Sequence, residues 1–303
     1  MLNILRNFNV DEATLSLWVF RRRIKATNPI FTGHWVEISR ELTNELKGFV
    51  NYEKIKYTEL VEYDLLSQNN ESSLLRIGTD ETEANKILTL SANQTAELKA
   101  TDVKHLANCD FYSIKLVHND KVLHCIKKTD SSWRTKKKKG LRSLAYKNNT
   151  LTIDDTPKFD IAKSFDFFIT EQSIFIKNKG LFESILSYKQ AHLDNFAELT
   201  SEPEFQKIFD STQHLATYVG NNAMQLRRAS AIRHKSYYKN ELFMESLKSN
   251  ARRFRLNLQF DGNNKIIVTP ENCADIFQAL LDHRLQSHYQ EHLYDVPNAL
   301  LVQ

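Results

Sequence analysis

Residues 111–128 read Phe-Tyr-Ser-Ile-Lys-Leu-Val-His-Asn-Asp-Lys-Val-Leu-His-Cys-Ile-Lys-Lys. Two runs rich in aromatic and β-branched residues, 111–117 and 122–128, flank the polar turn His118-Asn119-Asp120-Lys121. That pattern predicts an antiparallel hairpin. Short apolar segments continue the theme at 141–146, 151–153, 165–169 and 173–176. Asn148-Asn149 supplies a tight turn between the first two, because Asn tolerates positive φ. Glu171-Gln172 joins the last two as a second hairpin. Upstream, Leu15–Phe20 reads as a strand running into Arg21-Arg22-Arg23, and residues 86–90 as another short strand. Residues 38–49 have helical spacing, with Leu42, Leu46 and Phe49 on one side. Residues 56–63 are strand-like, and 67–73 form a loop dense in turn residues. Residues 1–178 thus read as one α/β or β-rich domain that carries an exposed basic loop.

The period changes after Lys179-Gly180. Leu181, Ile185, Tyr188 and His192 recur at three and four, and Ala229, Ile232, Leu242, Phe243, Leu247, Ala251 and Phe254 predict a long amphipathic helix or two in series. Ser201-Glu202-Pro203-Glu204 is a helix start with Ser as the cap. Residues 265–268 read as one isolated strand, and Thr269-Pro270-Glu271-Asn272, capped by Thr, opens a helix over 273–285. The expected fold is α+β: a mixed or antiparallel β-rich portion over 1–178, then a mostly helical half over 179–303.

Hydrophobic residues make up 41% of the 303 and charged residues 26%, the balance of a globular protein with a core. Seven Gly and five Pro exclude collagen-like or low-complexity architectures. The long uncharged stretch 211–226 is too polar to replace water with lipid, and residues 1–10 are too short and polar for a signal peptide. Three widely spaced cysteines, Cys109, Cys125 and Cys273, fit a reducing cytoplasm. Net charge is +4, but it is unevenly distributed: residues 121–147 sum to +9 and 222–256 to +7, leaving −12 on the other 241. An acidic body with two basic segments points to a polyanionic partner.

The first segment runs Trp133-Arg134-Thr135-Lys136-Lys137-Lys138-Lys139-Gly140-Leu141-Arg142. Four consecutive lysines repel one another and cannot share a helix face, which favours an exposed, extended loop. Arg134, Lys136, Lys137, Lys138, Lys139 and Arg142 would neutralise DNA phosphates without reading bases. Trp133 beside them would stack on an unpaired base. The second set is Arg227, Arg228, Arg233, Lys235, Lys239, Arg252 and Arg253, with Tyr237 and Tyr238 among them. It reads either as a groove tracking the DNA backbone or as the solvent face of a helix. Arg21–Arg23 alternate across a strand and make no single patch.

Catalytic signatures are sparse: there is no phosphate-cradling glycine loop and no nucleophile elbow. Glu45-x-Lys47, Glu97-x-Lys99 and Asp154-Asp155 are the fragments a metal-dependent nuclease would use. His105 and Cys109, with His118, His124 and Cys125, are the nearest approach to a zinc set, yet no Cys-x-x-Cys pair exists. His288 and His292 read as a surface pair. The expectation is a non-enzymatic protein without metal or cofactor. The Phe-rich stretch 160–176 reads as core or a subunit interface.

The succession of Phe111-Tyr112-Ser113-Ile114-Lys115, a basic segment, Phe165-Asp166-Phe167-Phe168, Ile174-Phe175-Ile176, Phe182-Glu183-Ser184-Ile185-Leu186-Ser187-Tyr188 and Phe277-Gln278-Ala279-Leu280-Leu281-Asp282 resembles the KwaB family of the two-protein Kiwa anti-phage system. The likeness covers roughly residues 110–295, and residues 288–295 depart from the turn that usually closes it. The resemblance implies an effector that binds phage DNA and blocks its replication or expression. It also implies a homodimer, recruited from the cytoplasm to the inner membrane by a small membrane protein, KwaA. The remaining alternatives are a metal-dependent nuclease and an adaptor docking on an anionic membrane or an acidic protein.

Overall fold

Residues 111–128 form the expected hairpin, and it stands at the centre of an eight-stranded sheet. Asn119 and Asp120 take φ values of 48° and 63°. Positive φ at both central residues is the geometry whose twist matches flanking strands. The computed structural model describes residues 2–25, 28–79, 82–134, 143–154, 156–287 and 292–295.

The sheet strands are β1 (Thr14–Lys25), β2 (Asn28–Val36), β3 (Glu59–Glu62), β4 (Ser73–Ile77), β5 (Phe111–His118), β6 (Lys121–Lys128), β9 (Phe167–Thr170) and β10 (Ile174–Ile176). A separate two-stranded ribbon, β7 (Leu144–Lys147) and β8 (Thr150–Ile153), intervenes between β6 and β9. The sheet order is β2-β1-β5-β6-β9-β10-β4-β3. Every neighbouring pair is antiparallel except β3–β4. Helices α1 (Leu2–Arg6), α2 (Arg40–Lys54), α3 (Thr82–Leu90), α4 (Val103–Ala107) and α5 (Lys179–Ile185) accompany it.

Both sheet faces are covered. Leu17 and Val19, Tyr112, Ile114 and Leu116, and Leu123 and Cys125 pack with Leu46 and Val50 of α2 and Leu5 of α1. On the opposite face Phe20 stacks on Phe111 with centroids 4.9 Å apart. Phe182 of α5 meets Phe167 edge-on at 5.1 Å. Double coverage explains why 167–169 and 174–176 are apolar without alternation, and it assigns the Phe-rich stretch to core.

Residues 86–90 are not the strand expected of them; they lie in α3, where Ala84 and Ile87, with Ser91 just past its end, are buried at helical spacing. Strand β1 continues past Phe20 through the arginine triplet to Lys25, because β2 pairs with it along that whole length. Residues 56–63 supply only the short strand β3.

Contacts divide the chain into two units, 1–62 with 69–186, and 63–68 with 187–303. The second contains α6 (Tyr188–Ser201), α7 (Pro203–Lys207), α8 (Gln213–Val219), α9 (Ala223–Lys235), α10 (Glu241–Asn250) and α11 (Cys273–Leu280). Leu199, Phe205, Leu215, Leu226, Ile232, Phe277 and Leu280 form its core. The amphipathic stretch after 223 is two helices in series, parted by Ser236 at φ 54° and a 3-10 turn over Tyr237–Lys239. Ser201 is not a cap: its hydroxyl donates to the Glu198 carbonyl at 2.7 Å, and Glu202 precedes α7. Nor does Thr269 cap the last helix, which starts after Asn272. The strand expected over 265–268 is not alone, since β12 (Ile266–Ile267) pairs with β11 (Gln259–Phe260). A further short pair joins β13 (Arg284–Gln286) to β14 (Leu293–Asp295).

Candidate nucleic-acid interface

The root of the lysine run is held firmly. Asp130 accepts from the Ser132 backbone at 2.7 Å and from its hydroxyl at 2.6 Å, closing a turn beyond β6. Trp133 then points inward. Its indole Nε1 donates to the Leu106 carbonyl at 2.8 Å, and its ring stacks on Tyr112 and tilts against Phe159. At 5% exposure Trp133 is a core residue, which corrects its expected role as a base-stacking platform. Arg134, the next residue, is exposed and forms an antiparallel bridge to Phe159. Lys136, Lys137, Lys138, Lys139 and Arg142 lie outside the described residues. The chain returns at Ser143, whose carbonyl accepts from Asp154 N at 2.9 Å at the foot of the β7–β8 ribbon.

An open cleft of about 800 Å³ lies at this root, lined by Cys109, Asp130, Trp133, Arg134, Asp154 and Lys158 among others. Hydrogen bonds from Thr156 and Lys158 hold the Asp154 carboxyl well below the usual range. Its charge is therefore already answered by Lys158, 3.0 Å away.

The second basic set does not form one stripe. Arg233 donates to Glu202 at 2.9 Å and to Asn195 at 2.8 Å, and is ion-paired with Glu198. Lys239 meets the other Glu202 oxygen at 2.8 Å, and the Tyr238 hydroxyl donates to it at 2.6 Å. Burial works against charge on Glu202, yet these bonds from Lys239, Tyr238 and Arg233 outweigh it and hold the pKa at about 2. Arg228 and Lys235, seven residues apart and so on one side of α9, face the buried His283. Desolvation and these two cations push that imidazole down to about 4. Arg253 donates to Gln286 at 3.1 and 2.7 Å. Arg252 is exposed, and Arg227 is half-buried. Tyr238 is buried, whereas Tyr237 is exposed and tilted against Phe243.

Several charged residues that matter to the fold carry no local sequence signal. Arg22 donates to the carbonyls of Ser184 and Ile185 (3.2 Å to the latter), satisfying backbone at the end of α5. Lys128 reaches the Ser184 hydroxyl at 2.7 Å. Asp166 takes Lys127 at 2.9 Å and the Lys128 backbone at 2.8 Å. Glu53, fully buried, accepts from Tyr57 and Lys56 at 2.7 Å each and from Lys177 at 2.5 Å. Desolvation opposes its charge, but these hydrogen bonds prevail and its pKa is lowered. Glu53 and Lys177 are 124 residues apart, so only folding pairs them.

The metal candidates are dispersed. His105 stacks face to face on His34 at 4.0 Å. His124 is buried against Ser113 Oγ at 3.1 Å, and burial with the Lys115 charge pushes its pKa down to about 3. Burial raises the Cys109 thiol to about 12 and Cys125 well above its usual value. His288 lies outside the described residues. Among the described residues, no group of three or more His, Cys, Asp or Glu is placed to hold a metal ion. Glu45, Glu97 and Asp154 sit on separate elements; Lys99, two residues from Glu97, is ion-paired with Glu37. Asp155 lies outside the described residues. No helix among the described residues is long and apolar enough to cross a membrane.

The family model described as Kiwa protein KwaB-like matches residues 106–289. The match begins in α4, takes in strands β5 to β10 and both basic segments, and continues through α11. No curated protein and no solved structure matches the chain. With more than half of its length matched, the chain belongs to the KwaB-like family of the Kiwa anti-phage defence system.

Proposed function

We propose that this chain is the DNA-binding component of a Kiwa system, gripping the phosphate backbone with little sequence preference through Arg134, Lys136–Lys139 and Arg142. The observation that carries the reading is the charge distribution: +9 over residues 121–147 in a chain whose remainder, outside both basic segments, sums to −12. Support comes from exposed Arg134 following a residue locked into the core. A second contact set is drawn from Arg227, Arg228, Lys235, Arg252 and Arg253. Arg233 and Lys239, paired with acids, contribute less charge to it.

In this reading the protein acts stoichiometrically rather than as an enzyme, needs no cofactor, and blocks replication or expression of phage DNA by occupying it. It works as a homodimer, and a small membrane protein of the KwaA type recruits it from the cytoplasm to the inner membrane.

The test is a DNA-binding titration of the purified chain at several salt concentrations with Mg²⁺ present, the DNA being recovered afterwards. Steeply salt-dependent binding with intact DNA supports the reading. Cut DNA would replace it with nuclease activity. No binding at low salt would end it.

A further inference from the structure

His283 lies just beyond α11, is 4% exposed, and its Nε2 has no hydrogen-bond partner. One side of α9 packs against this end of α11, where Ile232 shares a cluster with Leu280 and Leu281. Beside Ile232 on α9 stand Arg228 and Lys235, two helical turns apart and so in line. Both are half-buried, and both face the His283 imidazole. Among the described residues neither is ion-paired with a carboxylate, in contrast to Arg233 and Lys239, which Glu202 answers. Arg228 and Gln225 also face the Tyr218 hydroxyl, and Gln225, 7% exposed, leaves its Oε1 unpartnered. Asp64, the acid that faces the imidazole, has one oxygen committed to the Leu66 backbone at 2.9 Å.

We infer that Arg228, Lys235 and His283 seat one phosphate group. Two partly desolvated cations beside an imidazole are a surplus of positive charge that the fold does not balance, and a bound anion would balance it. The guanidinium offers a planar fork that matches two oxygens of a phosphate, the lysine a point charge, and the imidazole a further N–H. Three separate donor groups suit a tetrahedral oxyanion; a carboxylate has only two oxygens to offer them. The electrostatics agree with this. Desolvation first, then Lys235 and Arg228, push the imidazole down to about 4. An anion among these groups cancels the effect of the two cations. The imidazole therefore takes up a proton as the anion binds, and affinity rises as pH falls. The phosphate belongs to a DNA backbone or to a free phosphate compound; the first source rests on the DNA-binding reading, whereas the site itself does not.

The test is calorimetric titration of the full chain with inorganic phosphate at neutral pH, and with sulfate, which keeps its charge as pH falls. Both anions should bind saturably. Sulfate affinity should rise by about tenfold between neutral pH and about pH 5, the gain expected when an anion lifts the imidazole from about 4 to about 6. Combining Arg228→Gln with Lys235→Gln should weaken both anions by about tenfold or more. His283→Gln should lose the gain at low pH. Nitrogen NMR of the His283 ring in the parent chain reads the same protonation without a substitution: its midpoint should move up in sulfate and stay in place in acetate. Absence of saturable binding overturns the inference, as does full affinity in the double variant, a His283 midpoint that sulfate leaves in place, or one that acetate moves equally. A DNA duplex that displaces phosphate, and binds the double variant more weakly, makes the backbone the source. A duplex that leaves phosphate in place gives the site to a free phosphate compound. DNA binding with no anion binding would sink this site and leave the DNA-binding reading standing.

Discussion

The indole of Trp133 lies over the ring of Tyr112, centroids 5.1 Å apart and planes inclined by 24°. The chain thereby turns its aromatic residue inward one position before exposed Arg134, so the entry to the lysine run is anchored by packing. Trp133→Ala removes that packing and the bond to Leu106. It should lower stability by roughly 3–5 kcal/mol in denaturant unfolding. Trp133→Phe should cost less and leave DNA affinity intact; a folded Trp133→Phe chain with weakened binding would restore the stacking role.

Replacing Lys136, Lys137, Lys138 and Lys139 together by alanine should reduce the slope of log affinity against log salt by about 3–4, near 0.9 per lost phosphate contact. Unfolding midpoints should stay where they are. An unchanged slope would move the phosphate contacts elsewhere.

Arg233→Ala should behave in the opposite way. The guanidinium is about one-third exposed and paired with Glu198 and Glu202, so its removal should cost on the order of 1 kcal/mol of stability. The salt slope for DNA should not change. A flattened slope in this variant would make Arg233 a DNA contact despite its carboxylates.

Two glycines separate close approach from open space. A Cβ at Gly33 would sit 2.8 Å from Phe20 Cε1, and that fully buried ring is already stacked on Phe111. Gly33→Ala should therefore destabilise by about 1–3 kcal/mol. Gly48 lies inside α2 with nothing within 4 Å, so Gly48→Ala should stabilise by about 0.5–1 kcal/mol. Thermal unfolding of the two variants checks both signs.

Acid should weaken the fold through its buried imidazoles. His124 and His283 titrate at about 3 and about 4 in the native state, against an ordinary 6.5, so the unfolded chain takes up protons first as pH falls. Their contribution is complete above about pH 6.5 and is lost progressively toward pH 3. Glu53, with its pKa lowered, adds a loss in the same direction below its ordinary 4.5. His124→Gln should narrow the difference between unfolding free energies measured near neutral pH and near pH 5; an undiminished difference would place the acid sensitivity elsewhere.

Short-range features were legible in the sequence. The hairpins at 118–121 and 148–149 depend on turn residues adjacent in the chain, and the structure places positive φ at Asn119, Asp120, Asn148 and Asn149. The change of apolar period after Gly180 likewise announces helices, because each helix buries its own stripe. Charge asymmetry and the KwaB-like resemblance needed only the order of residues. The strand expected at 86–90 failed because a five-residue apolar window does not distinguish strand from helix, and the burial of Ala84, Ile87 and Ser91 settles it.

Composition and local pattern by themselves determined the α+β class, the central hairpin and the position of the lysine run. Tertiary structure alone decided that Trp133 faces Tyr112, that Glu202 gathers Arg233, Tyr238 and Lys239, and that the β7–β8 ribbon is left with an open apolar face. The physical reason is range. Turns and helical stripes are set by residues a few positions apart, whereas what a side chain meets depends on strands and helices brought together from distant parts of the chain.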